Sequence, residues 1–273
     1  MNANNKIDIR IQRMLRSYAK EDPPPNRVKP VPIAVLRCIF AIAACTLCAH
    51  TACLADMIGL AFFFLLRPGE YTHSSQDSVP FELKDVQLFQ GTPRLDLNTA
   101  TDAQLLAASF ASLTFDTQKN AVRGEVIGQG HSGDSLLSPT KILARRVIHL
   151  RSHGAPPNTP LSSYYDAQGN LQHIKPAHIT SALQDAVRFL NPTVLGFLPS
   201  DVTARCLRAA GANALLSAQV DSDHIRLLGR WRSDEMLRGY LHLQAQPIMH
   251  RFAGLMLAGG NFVLIPNQHV PSY

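Results

Sequence analysis

Residues 65–70 read Leu-Leu-Arg-Pro-Gly-Glu, and they close the most apolar stretch of the chain. Behind them, residues 33–66 are interrupted only by a few polar groups, among them Arg37, His50 and Asp56. A membrane span is the first reading to test. The uninterrupted piece from Met57 to Leu66 is ten residues, and a spanning helix needs about 20. Two buried helices with a break near His50 fit better, stopped by Arg67-Pro68-Gly69. No membrane association is expected. An arginine placed directly after such a stretch should be held rigidly by the core behind it.

The rest of the composition agrees with a packed fold. The chain has 273 residues, 46% hydrophobic and only 17% charged, which excludes a disordered chain. Its length suits one large domain or two small ones. A net charge of +6 favours an anionic partner. Acidic residues are still plentiful, so a localised basic surface is expected rather than a basic tail. The first ten residues are polar and carry no secretory signal. Five cysteines, four of them between Cys38 and Cys53, read as free thiols of an intracellular protein. Cys45, Cys48, His50 and Cys53 have a spacing that suggests a metal site. Their Ala-rich apolar context favours small core thiols instead, with no metal and no cofactor.

Outward from residue 70 the pattern changes period. Residues 1–31 form an arm: Ile7 to Tyr18 has helical apolar spacing, ended by Asp22-Pro-Pro-Pro25. Residues 81–130 read as β, with a strand at Val86–Phe89. Leu113–Phe115 and residues 122–127 flank a turn at Gln118-Lys119-Asn120. A turn and short helix are expected between Leu95 and Phe110. Helices are predicted over 139–152, 176–190, 201–217, 221–230, 234–244 and 247–257, with 154–172 as a loop. The fold class is therefore mainly α with one small antiparallel β-sheet, α+β.

Three basic features stand out: Arg67 before Pro-Gly-Glu70, the pair Arg205 and Arg208 three apart on a predicted helix, and Gly229-Arg-Trp-Arg232. Tyr240 follows. Each has an ordinary structural reading: a helix cap, a solvated face, a core tryptophan, a half-buried tyrosine. Together they match one chemistry. Breaking and rejoining a phosphodiester without a metal needs a nucleophile, fixed cations on the non-bridging oxygens, and an acid for the leaving oxygen. Tyrosine can form the covalent intermediate. Arginine's planar fork holds two phosphate oxygens. A lysine on a hairpin, Lys119, can protonate the 5′-oxygen.

These residues, in this order, resemble the catalytic domain of the tyrosine recombinase (phage integrase) family. The resemblance covers roughly residues 33–245. It is closest to the integrase-like proteins of eukaryotic mobile elements. Leu65-Leu-Arg-Pro-Gly-Glu70 is similar to the first arginine motif, and Lys119 to the β-hairpin lysine. Arg205-Cys-Leu-Arg208 is similar to the His-x-x-Arg box, and Leu228-Gly-Arg-Trp-Arg232 to the Leu-Gly-His or Leu-Gly-x-Trp box. Tyr240 matches the nucleophile, nine residues after Trp231 and 32 after Arg208.

The resemblance implies an integrase-like DNA breaking-rejoining domain over 32–245. Residues 1–31 would be an arm or the remnant of an upstream core-binding domain. Residues 246–273 would be a tail that reaches a neighbouring subunit or packs on its own domain. It implies site-specific cleavage and rejoining of double-stranded DNA for recombination or integration, through a 3′-phosphotyrosyl link, in a tetramer. Tyr240 would attack the phosphate, Arg67 and Arg208 clamp it, and Lys119 protonate the leaving group. Arg205 and either Trp231 or Arg230 would add phosphate contacts, and Glu70 would position Arg67. The location would be intracellular, nuclear in a eukaryote. Two departures stand against full activity: Arg205 replaces the family histidine, and Gly239 precedes the nucleophile. They open the alternative of a decayed or domesticated integrase domain that binds DNA without cutting.

Overall fold

A computed structural model describes residues 29–46, 48–73, 78–115, 124–218, 220–231 and 252–261. Lys119, Gly239 and Tyr240 lie outside them, as do the predicted helix 234–244 and most of the arm.

The apolar stretch is two helices, α1 (Ile33–Thr46) and α2 (Ala49–Phe63). The break falls just before His50, between Thr46 and Ala49. Every residue of α2 from Cys53 to Phe63 is buried, as expected for a helix apolar on all sides. α2 therefore runs through the core. Cys53 is the one member of the cysteine group inside; Cys45 and Cys48 are exposed. The expectation of core thiols is corrected for these two, because they sit at the solvent end of α1 and at the start of α2. No metal-binding group of His, Cys, Asp and Glu occurs among the described residues. No described helix is long and apolar enough to cross a membrane.

α2 ends in a tight reversal. Leu66 N–H donates to Ala61 O at 3.0 Å, and Leu65 takes a left-handed φ of 50°. A non-glycine residue pays about 1–2 kcal/mol for that conformation. Leu65 is completely buried, so its packing offsets the strain. The next residues form a one-turn helix, α3 (Pro68–Tyr71), with Pro68 opening its first turn.

The sheet is β1 (Val86–Phe89), β2 (Phe110–Phe115) and β3 (Glu125–Gly130), antiparallel in sequence order. A short helix, α4 (Asp102–Leu106), sits between β1 and β2 as expected, capped by Thr101. Phe115 pairs with Glu125 at the foot of the β2–β3 hairpin. Gln129 reaches from β3 to donate to Phe63 O at 2.7 Å, tying the sheet to the end of α2.

α5 (Pro139–Ser152) packs on α2 and the sheet. Its three arginines are internal fasteners. Arg145 donates twice to buried Asp56, at 2.9 and 2.5 Å. Arg146 donates to Leu161 O and Ser163 O. Arg151 holds Leu97 O, Ala100 O and Asp102. The predicted loop 154–172 contains a second, two-stranded sheet, β4 (Ser163–Tyr165) with β5 (Leu171–His173). Its strands of three residues are too short to show alternation in sequence.

α6 (Pro176–Phe189) and the single turn α7 (Pro192–Leu195) lead to a 3₁₀ turn at Pro199–Asp201. α8 (Cys206–Ser217) starts five residues later than the predicted Asp201. Arg205 consequently lies in the turn before it, not on a helical face shared with Arg208. α9 (Ser222–Gly229) is capped by Asp221. Residues 252–259 form the last helix among the described residues, α10. Phe252, Ala253 and Met256 are buried, and Gly260 O accepts from Ile33 N at 2.7 Å. This part of the tail packs on its own chain. The architecture is α+β, with α2 at the centre of the helical layer.

Two outcomes follow. A Cβ at Gly211 would stand 2.2 Å from Phe62 O, so Gly211→Ala forces α8 off α2. It should cost about 1–3 kcal/mol in urea unfolding. His149 accepts from Tyr165 N–H at 3.0 Å. Burial, then Arg146 and His153, holds its pKa down to about 4. The folded state keeps it neutral while the unfolded chain protonates near 6.5. Its stabilisation is therefore full above pH 6.5 and is lost as pH falls towards 4. Unfolding midpoints across that window should drop, and His149→Gln should flatten the curve.

Candidate functional site

Three arginines from distant segments meet where α2, α8 and α9 end or begin. Arg208, on α8, is the link. Its Nη1 donates to Leu65 O at 2.7 Å, and its Nη2 donates to Gly229 O. One guanidinium thus fastens the carbonyl exposed by the α2 reversal to the last residue of α9. The strained φ of Leu65 aims that carbonyl.

Arg67 opens α3. Glu70, at the end of the same turn, accepts Arg67 N–H at 2.7 Å and Arg67 Nη1 at 2.9 Å. The same carboxylate accepts Arg230 Nη2 at 2.7 Å. Glu70 therefore joins two arginines that are 163 positions apart in sequence. The sequence reading gave it only Arg67.

Arg230 is the most enclosed member. It ends α9 in a left-handed conformation, φ 55°, and its side chain is 2% exposed. Its guanidinium lies 4.1 Å from the Phe115 ring centroid, against the foot of the β2–β3 hairpin. Its Nε and Nη1 have no hydrogen-bond partner among the described residues. Burial, opposed by Glu70, pushes its pKa down. Arg208 is pushed down to about 9, by burial first and then by Arg230 and Arg67. It still carries its charge at neutral pH. Arg67 is the accessible member, with a third of its side chain exposed.

Trp231 covers the arrangement. Its ring centroid lies 4.5 Å from the Arg208 guanidinium carbon, a favourable cation–π distance. The indole lies over Gly229, where any Cβ would overlap it at 1.8 Å. That is the physical reason for glycine in Leu-Gly-Arg-Trp. Trp231 is partly exposed, so it is a cover over the site and not a core anchor.

Not every predicted residue joins. Arg205 is exposed, and none of the contacts above reaches it. Lys119 and Tyr240 lie outside the described residues. The strand ends that flank Lys119 in sequence, Phe115 and Glu125, both act on Arg230, the ring by contact and the carboxylate by its charge. Sequence reasoning missed the depth of Arg230 and its bond to Glu70. The compact turn Gly229-Arg-Trp was the available signal, since helices often end on one residue in the left-handed conformation, here Arg230.

Chemically, three guanidiniums gather around Glu70, with Glu125 also acting on Arg230. Two Arg230 donor atoms are buried without a hydrogen-bond partner among the described residues. Such an excess of desolvated positive charge is costly unless an anion completes it.

No family model matches this chain, and no curated protein is significantly similar to it.

Removing the Glu70 charge should expose this balance. Glu70→Gln leaves Arg230 buried beside Arg67 with no shared counter-ion, and should cost about 3–5 kcal/mol in urea unfolding. Arg67→Ala removes a partly exposed partner and should cost about 1 kcal/mol or less.

Proposed function

We propose that the chain is a DNA strand transferase of the tyrosine recombinase type. It would cleave and rejoin duplex DNA through a 3′-phosphotyrosyl link to Tyr240. The observation that carries this reading is the meeting of Arg67, Arg208 and Arg230 around Glu70. They come from separate motifs, and their order in the chain is the one the family resemblance requires. A cluster of fixed guanidiniums, two of whose donors have no partner among the described residues, suits a phosphodiester, whose charge grows on its non-bridging oxygens in the transition state. Arg67 is the residue that meets the phosphate first. Arg208 and Arg230 supply charge from behind. Glu70 positions both Arg67 and Arg230 and does not act on substrate. Lys119, which lies in sequence between β2 and β3, would be the acid for the leaving oxygen.

The assembly on DNA would be a tetramer, and the site of action the nucleus if the host is a eukaryote. With much of the binding energy in phosphate contacts, affinity should fall steeply with salt.

A second reading has its own support. Both Nη atoms of Arg208 already hold backbone carbonyls, and Trp231 covers one face of its guanidinium. Arg205, in place of the family histidine, cannot accept the tyrosine proton. These features favour a domesticated domain that binds DNA and does not cut.

A duplex nicked beside the scissile phosphate separates the two. The active reading expects a covalent protein–DNA adduct from the native chain and none from Tyr240→Phe. Retention of the duplex with no adduct in any variant supports the binding-only reading. In either case Arg67→Ala should weaken duplex binding and lower the slope of affinity against salt by about 1. Loss of all duplex affinity in the native chain overturns both.

A further inference from the structure

Two exposed cysteines meet at the break between the first two helices. Cys45 lies in the last turn of α1 and Cys48 directly precedes α2; both are exposed. With two residues between them they form a Cys-x-x-Cys pair, a spacing that favours thiol–disulfide chemistry. α1 and α2 pack on each other, so the chain turns between Thr46 and Ala49. Four residues through a turn keep their first and last Cα within about 7 Å, and a disulfide needs about 4.4–6.8 Å. A metal site does not explain the pair: no group of three His, Cys, Asp or Glu that could hold an ion occurs among the described residues.

The two thiols are not equivalent. Cys48 is the N-cap of α2, with extended backbone at φ −100° and ψ 127°. It therefore sits at the positive end of the helix dipole, a setting that favours a thiolate. The N–H and hydroxyl of Thr51, and then the His50 N–H, hold its pKa below the ordinary thiol value against slight desolvation. The other cysteines are poor rivals as partners. Cys38 lies two turns before Cys45 on α1, about 10 Å along the axis, which is beyond disulfide reach. Cys53 is buried, its Sγ donates to Ser162 O at 3.6 Å, and burial pushes its pKa up to about 12. Cys206 is buried as well.

We propose that Cys45 and Cys48 are a redox-active dithiol that a hydroperoxide closes to a disulfide. The Cys48 thiolate attacks a peroxide oxygen. An S–O bond forms, the O–O bond breaks, and the leaving hydroxide takes a proton to become water. The Cys45 thiol then attacks the sulfenic sulfur of Cys48. An S–S bond forms, the S–O bond breaks, and hydroxide leaves with the Cys45 proton as a second water. The two thiols lose two electrons and the peroxide gains them. The product joins the end of α1 to the start of α2. The pair uses none of the residues assigned to phosphate. The 15 residues of α2 separate it from the arginine cluster, about 22 Å along the helix.

The test treats the full chain with hydrogen peroxide, alkylates the remaining thiols after unfolding, and locates them by fragment-ion mass spectrometry. About one equivalent of peroxide should block Cys45 and Cys48 together and leave Cys53 alkylated, and dithiothreitol should restore both. The native pair should react about tenfold faster than glutathione at equal concentration, and Cys48→Ser should remove that advantage. Cys45→Ser should stop at a sulfenic acid on Cys48, trapped by dimedone. Both side chains are exposed, so thermal melts of the reduced variants should match that of the native chain. Oxidation of the native pair no faster than that of glutathione overturns the proposal. So does a disulfide that forms only between two chains, seen as a dimer on non-reducing gels whose yield rises with protein concentration.

Discussion

The guanidinium of Arg208 is the point on which the molecule's helical layer and its polar site both depend. It binds the carbonyl of Leu65, freed by the left-handed reversal at the end of α2. It also binds the carbonyl of Gly229, the end of α9. Each is a helix-terminal group that would otherwise lie half-buried without a donor. Because one planar group serves both, the two helix ends are fixed at a single distance. α3 and its Glu70 follow directly from the first, and Arg230 and Trp231 from the second. The relative placement of Arg67 and Arg230 is then determined, and Glu70 closes the loop between them.

Stability and the proposed function would draw on the same groups. The residues that make the site positive are also those that join distant segments. Arg208 has little freedom to reach for a ligand while it holds two carbonyls. Arg230 is enclosed by Phe115, Glu70 and the Trp231 turn. The accessible charge is therefore concentrated in Arg67, with the others acting as a fixed field behind it. Such a field needs no rearrangement when an anion arrives, which is the condition for strong electrostatic stabilisation. The arginines of α5 are spent differently. Arg145, Arg146 and Arg151 hold Asp56 and loop carbonyls, so the net positive charge of the chain overstates its free basic surface.

Much of the fold was legible. The apolar run 33–66 gave two helices of the core because no side of α2 from Cys53 onward meets water. The Val86–Phe89 strand and the hairpin from Leu113 were visible as short apolar, β-branched runs around turn residues. The start of α8 was misplaced because Asp201 and Thr203 both look like caps. The chain instead uses Asp201 in a 3₁₀ turn, where it accepts Leu198 N–H. The β4–β5 pair was invisible because its residues are mostly polar and its strands minimal. At the site, motif order identified Arg67 and Arg208, and Glu70 was assigned to Arg67. The bond from Glu70 to Arg230 could not be read, since it depends on how two helix ends meet. Burial of the two unpartnered nitrogens on Arg230 could not be read either; it depends on Phe115 across the sheet.

The cover over Arg208 has one more consequence. Trp231 is the only tryptophan in the chain, and it rests on a charged guanidinium. Indole emission is sensitive to a neighbouring cation and to water at its edge. The protein's entire tryptophan signal thus originates at the mouth of the arginine cluster. Any ligand that displaces the indole or neutralises the charge beneath it announces itself in the native chain, without a label.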